Sequence, residues 1–220
     1  LYLFLRNLLS LEYKTLKDKF QYIPLISAFI LAITPWHIHF SRGAYESVVA
    51  VCLYMIGCWQ FIVFYKKKKI LYLAISLFFF TLASYTYHSF RILSPITILL
   101  IFYFLFSNKY IKRKNIFSIA LYTIILYIPL LLFTFGNHGY TRFQQTSIFT
   151  QQALPTSTLL QSPISDFIAY PFIYIKNYLS YFSLQELFVK ANDNVRFYSS
   201  SEFGFLFRWQ LPFLIFGFIV

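Results

Sequence analysis

The 220-residue chain is 59% hydrophobic, 23% aromatic and only 12% charged, which excludes a soluble globule, because too little polar surface remains to face water. Its formal net charge of +12 would suit nucleic acid. The basic residues nevertheless fall in short runs between apolar stretches, the arrangement of cytoplasmic loops in a membrane protein, so no nucleic-acid partner is expected.

A helix rising about 1.5 Å per residue needs roughly 20 apolar residues to cross a hydrocarbon core about 30 Å thick. On that measure the sequence predicts spans over 22–40, 46–65, 70–87, 92–107 and 116–135, with a sixth beginning near 209 and cut off at Val220. Each lacks charge in its interior and is expected to be uninterrupted. The opening LYLFLRNLLS has neither an initiator Met nor a signal-peptide pattern. It is expected to be the tail of an earlier helix, which makes the chain a fragment of a longer protein. The expected fold class is all-α, a polytopic transmembrane bundle with five full spans. Residues 1–135 form the membrane region, 136–207 a long extracytoplasmic loop and 208–220 the start of a further span.

Charge sets the orientation. Arg6, Lys14, Lys17 and Lys19 precede the first span, Lys66–Lys69 follow the second, and Lys109, Lys112, Arg113 and Lys114 follow the fourth, twelve of the nineteen basic residues. Basic loops at every second connection mark the cytoplasmic side, and simple anchoring to the bilayer accounts for them. Five of the seven acids, Glu46, Asp166, Glu186, Asp193 and Glu202, fall on the opposite side. Cys52 and Cys58, six apart in one span, read as packing residues and lack the spacing of a metal site.

Polar residues gather at two outward hairpins. TPWHIHFSRGAYES carries His37, His39, Arg42 and Glu46, and SYTYHSFR carries Tyr85, Tyr87, His88 and Arg91. Ionisable groups at membrane depth are costly, so such clusters suggest a polar mouth for an anion. The plainer alternatives are a snorkelling Arg42, a Glu46 that complements a helix start, and an interface anchor at Arg91. Arginine matches phosphate oxygens, with histidine as an added donor. His37 and His39 have no partner at zinc-site spacing, and neither a nucleophile elbow nor a P-loop occurs. Beyond 136, a Gln/Ser/Thr-rich stretch is followed by IAYPFIYIKNYLSYF, whose tyrosines and Lys176 suit an interfacial amphipathic segment.

TPWHIHFSRGAYES, YTYHSFR, RFQQTSIF, NYLSYFSLQELFVKANDNVRF and FRWQLPFLIFGF, in that order, resemble the bacterial and archaeal membrane glycosyltransferases. These are related to the dolichyl-phosphate-mannose protein mannosyltransferases of glycosyltransferase family 39 and to the lipid A aminoarabinose transferases. The resemblance implies a GT-C fold in the prokaryotic plasma membrane. Its activity would be inverting transfer of a sugar from a polyprenyl-phosphate carrier to an extracytoplasmic protein, lipid or glycan. It further implies that a catalytic carboxylate precedes Leu1, so that the fragment alone is inactive. Glu46 matches a positioning acid, with Arg42 before it in the same mouth. Arg91, together with His88, matches the place where relatives hold the carrier phosphate. Arg142, Asp193 and Arg196 lie in matching segments without an assigned role. The alternatives are a glycolipid transporter or flippase, and a noncatalytic assembly subunit.

Overall fold

The computed structural model describes residues 1–12, 22–43, 45–108, 110–136, 175, 178–179, 182–189 and 204–219. Every regular element among them is helical. Three helices are long and apolar enough to cross a membrane, and a bent helix pair would be a fourth. Most of the segment expected as an extracytoplasmic loop, including His138, Arg142, Asp166, Lys176, Asp193, Arg196 and Glu202, lies outside the described residues.

The chain forms two compact units, Leu1–Ile30 with Gly43–Gln145 and Leu31–Arg42 with Thr146–Val220. In the first, α1 (Tyr2–Glu12) packs on α4 (Glu46–Lys67), which packs along α5 (Ile70–Thr86), followed by α6 (Phe90–Ser107) and α7 (Arg113–Phe135). The apolar runs become helices because in a bilayer every backbone N–H and C=O must be bonded within the segment. Lys68 ends α4 in the left-handed region, at φ 56°, and its N–H bonds the Phe64 carbonyl at 2.7 Å. Its ammonium lies 3.4 Å from the centre of the Tyr110 ring and 4.3 Å from that of Tyr65. The turn through Lys68 and Lys69 is therefore fastened by cation–π contacts, and it lays α5 antiparallel to α4.

The core of this unit joins Phe64 of α4, Leu73, Leu77 and Phe80 of α5, Ile98, Ile101 and Leu105 of α6 and Ile119 of α7. Ala50, Ala83 and Phe90 form a smaller cluster toward the other end. The outside is as apolar as the inside: Tyr103, Phe117 and Leu132 are each 73% exposed. Such a surface suits lipid and is untenable in water. At 17 residues α5 spans about 26 Å, less than the roughly 30 Å of a typical hydrocarbon core.

The expectation of uninterrupted spans fails at 22–40. That stretch is two helices, α2 (Ile23–Ile33) and α3 (Pro35–Arg42), bent by 60° at Thr34. Pro35 has no N–H to continue α2, and its ring crowds the preceding turn. The Thr34 N–H bonds Leu31 in a tightened last turn, and the Thr34 carbonyl accepts the first bond of α3 from Ile38 at 3.1 Å.

The second unit contains this bend, α8 (Leu184–Phe188), a 3₁₀ turn at Arg208–Gln210 and α9 (Leu211–Ile219), so the helix expected near 209 begins after a tight turn. The Trp36 N–H, left unpaired at the start of α3, donates to the Phe205 carbonyl at 3.2 Å. Buried Gln210 donates to the Thr34 hydroxyl at 3.3 Å and accepts from the Phe207 N–H at 3.0 Å. The Leu206 N–H bonds the Leu187 carbonyl at 2.7 Å, and Arg208 Nε donates to Phe188 at 3.4 Å.

Candidate functional site

The described charged side chains of the helices from Glu46 to Phe135 lie at the two ends of the first unit. α4 begins at Glu46 and runs antiparallel to α5, so Glu46 lies at the end where α5 gives way to α6. At that end Tyr87–Ser89 make a turn in which Phe90 N–H bonds the Tyr87 carbonyl at 3.1 Å and Arg91 N–H bonds that of His88 at 3.0 Å. This places His88 and Arg91 on one turn at the start of α6. His88 is exposed, with its ring 4.2 Å from that of Tyr87, and Arg91 is half-buried.

The turn is held from below. Ser84 donates to the Phe90 carbonyl at 3.0 Å and accepts from the Tyr127 hydroxyl at 2.8 Å, while Tyr85 donates to the Leu126 carbonyl at 2.8 Å. The end of α5, the start of α6 and the middle of α7 are thus bound together by hydroxyls, of which sequence reasoning singled out Tyr85 and not its partners across the bundle. The signal available was small: Ser and Tyr within apolar runs, where an unpaired hydroxyl is disfavoured. Tyr54 and Thr97 do the same between α4 and α6, with oxygens 2.6 Å apart.

Arg91 carries an open donor at this end. Its guanidinium carbon lies 5.9 Å from the centre of the Phe133 ring in the last turns of α7. Its Nε is buried and has no hydrogen-bond partner. Leaving a buried charged donor unpaired costs about 1–3 kcal/mol or more. A purely structural cation near the end of α7 would be expected to bond that helix's last carbonyls, and the Nε does not. An apolar recess of about 420 Å³ lies on the same last turns of α7, lined by Ile128, Leu131, Leu132 and Gly136. A half-buried cation with an open donor suits an anionic ligand group such as a phosphate.

The other candidates are placed less closely. Glu46 is exposed in the first turn of α4, where a carboxylate also complements the helix dipole. Arg42 ends α3 in the second unit and is exposed. His39 in α3 packs edge-on against Phe40 at 5.6 Å, and Trp36 lies 5.5 Å from Phe40. Among the described residues no three His, Cys, Asp or Glu side chains gather as a metal site.

Comparison of the chain with protein-family models, with curated proteins and with solved structures finds no match in any of the three.

Proposed function

We propose that this membrane protein is a transferase that takes a sugar from a polyprenyl-phosphate carrier and passes it, with inversion, to an acceptor on the extracytoplasmic side. The observation that carries the reading is Arg91, a half-buried guanidinium at a helix end whose Nε has no partner. The resemblance of the ordered sequence segments to membrane glycosyltransferases of the GT-C type supports the same reading. In it, α2–α3 and α5 also cross the bilayer, for five crossings, and the lysine-rich turns face the cytoplasm.

The chemistry follows from charge. When the sugar–phosphate bond breaks, negative charge grows on the departing phosphate, and a preorganised Arg91 stabilises it more in the transition state than in the bound carrier. His88 on the same turn supplies a second donor. Arg42 is the further cation of the reading, and Glu46 orients the acceptor or donor through its carboxylate. Removing the acceptor's proton requires a general base, for which the resemblance implies a carboxylate.

The test is transfer of labelled sugar from a polyprenyl-phosphate hexose by membranes containing the full protein, together with binding of polyprenyl phosphate itself. Arg91→Ala is expected to lower transfer by roughly a hundredfold or more and to weaken carrier binding, with membrane insertion unchanged. Arg91→Lys keeps the charge without the planar fork and is expected to fall between the two. Glu46→Gln is expected to lower transfer while carrier binding persists. Wild-type transfer by Arg91→Ala would reject the phosphate role, and unchanged kinetics in Glu46→Gln would leave that residue a helix-start charge only.

A second reading draws on the 60° bend at Thr34. Broken helices are a mark of transporters, and under this reading the protein moves a lipid-linked sugar between leaflets. Carrier translocation in liposomes without any sugar transfer would select it.

A further inference from the structure

At the opposite end of the first unit, α1, the last turns of α4 and the start of α5 line a half-open cavity of about 270 Å³ whose polar lining is Asn7, Trp59, Gln60, Lys66, Lys67 and Tyr72. At about 1.5 Å per residue, the 22 residues of α4 put this end roughly 30 Å from Glu46, so the cavity stands independently of the function proposed above. Lys66 Nζ donates to Asn7 Oδ1 at 3.1 Å and to the Ser10 hydroxyl, and Lys67 Nζ donates to the Tyr72 hydroxyl at 3.1 Å. An ammonium carries three donors, so Lys66 keeps one available and Lys67 two. No carboxylate is among the described lining residues.

Two of the lining side chains are unsatisfied in complementary ways. Trp59 Nε1, a donor only, and Gln60 Oε1, an acceptor, are both buried without a partner. Lysines that merely anchor a helix reach to the headgroups by themselves and do not require a buried indole N–H and amide oxygen beside them. A ligand that satisfies all four groups must bring several anionic acceptor oxygens and at least one hydroxyl donor. The volume, about nine waters' worth at roughly 30 Å³ each, admits a phosphate with a small polyol.

We propose that this cavity binds a phosphate bearing a short hydroxylated substituent, the chemistry of an anionic phosphoglycerol headgroup. The phosphate oxygens accept from Lys66, Lys67 and the Trp59 N–H, and a headgroup hydroxyl donates to Gln60 Oε1. α1 contributes Asn7 and Ser10 through Lys66, so occupancy also fastens α1 to α4.

The full protein in phosphatidylcholine nanodiscs is titrated in two arms, one with phosphatidylglycerol in the bilayer and one with glycerol 3-phosphate in the aqueous phase. Native mass spectrometry reads retained lipid and equilibrium dialysis reads the soluble probe. Saturable binding near one molecule per chain is expected in the lipid arm. Saturation by glycerol 3-phosphate alone at similar concentration keeps the site and assigns a soluble source. Gln60→Glu, nearly isosteric but negatively charged, is expected to weaken binding by roughly tenfold or more, and the double variant Lys66→Met/Lys67→Met by at least as much. Trp59→Phe, which removes the N–H and keeps an aromatic ring, is expected to weaken it severalfold and carries the test should Gln60→Glu fail to insert. Absence of saturable binding in both arms overturns the proposal. So does a loss confined to the lysine variant with Gln60→Glu unchanged, since that is adsorption to surface charge.

Discussion

The contact between α4 and α5 rests on Gly57, and replacing it tests whether the two helices pack as described. A Cβ at Gly57 would lie 2.9 Å from Cδ1 and Cε1 of Phe80, a ring only 1% exposed. The Gly57 carbonyl also accepts a bond from Ser76 at 2.8 Å, so α4 cannot retreat without losing it. Gly57→Leu forces a whole side chain into this space and is expected to cost about 3 kcal/mol or more by overpacking. Phe80→Ala alone opens a cavity and is expected to cost about 3–5 kcal/mol. In the double variant the new leucine occupies part of the space the ring vacates, so the pair is expected to be less destabilised than the two singles together, by about 1–3 kcal/mol. Unfolding in mild detergent against added sodium dodecyl sulfate, followed by helical circular dichroism, reads all four corners of the cycle. Additivity within about 0.5 kcal/mol would refute the contact.

Two further predictions concern the second unit. Gln210→Leu removes both bonds of a buried amide, to the Thr34 hydroxyl and the Phe207 N–H, and is expected to destabilise this unit by about 1–3 kcal/mol, read as faster proteolysis within it. Gly204→Ala would place a Cβ 2.6 Å from the Leu187 carbonyl oxygen and the Phe188 carbonyl carbon; because these are backbone atoms, the segment must shift, and faster amide exchange at Leu206, whose N–H bonds Leu187, is the expected signature.

The helices were legible because apolar runs are bounded by charge. The expected spans 46–65, 70–87, 92–107 and 116–135 correspond to helices Glu46–Lys67, Ile70–Thr86, Phe90–Ser107 and Arg113–Phe135. The break at Thr34 was missed because hydropathy stays high across 22–40, and a hydropathy window does not register the N–H that Pro35 lacks. The dipeptide Thr34–Pro35 carried that signal. At the site, His88 and Arg91 stood out as ionisable groups in an apolar chain, whereas the hydroxyl pair that holds their turn, Ser84 and Tyr127, joins residues 43 positions apart. Trp59 and Gln60 were passed over for a related reason: their cavity exists only once α1 packs on α4. A glutamine inside the apolar run MIGCWQFIVF was nevertheless a mark of buried polarity.

The same polar census bears on the choice between transfer and passage. Between its two ends the first unit closes most of its hydroxyls on itself, the buried Ser94 Oγ being left open one turn from Arg91. Tyr54 bonds Thr97, Ser84 links Tyr127 to the Phe90 carbonyl, and Thr81 and Thr123 return to Leu77 and Ile119 within their own helices. A substrate path through the bundle would need polar groups left open along its length, as water or ligand must replace each lost contact in a low-dielectric interior. The open groups, Arg91 Nε and Ser94 Oγ in the first turns of α6 and Trp59 Nε1 with Gln60 Oε1 about two turns before Lys67 in α4, gather instead toward the two ends, with buried Phe80 packed on Tyr54 between them. That arrangement favours two separate anion sites, one at each end of the unit, over a conduit through it.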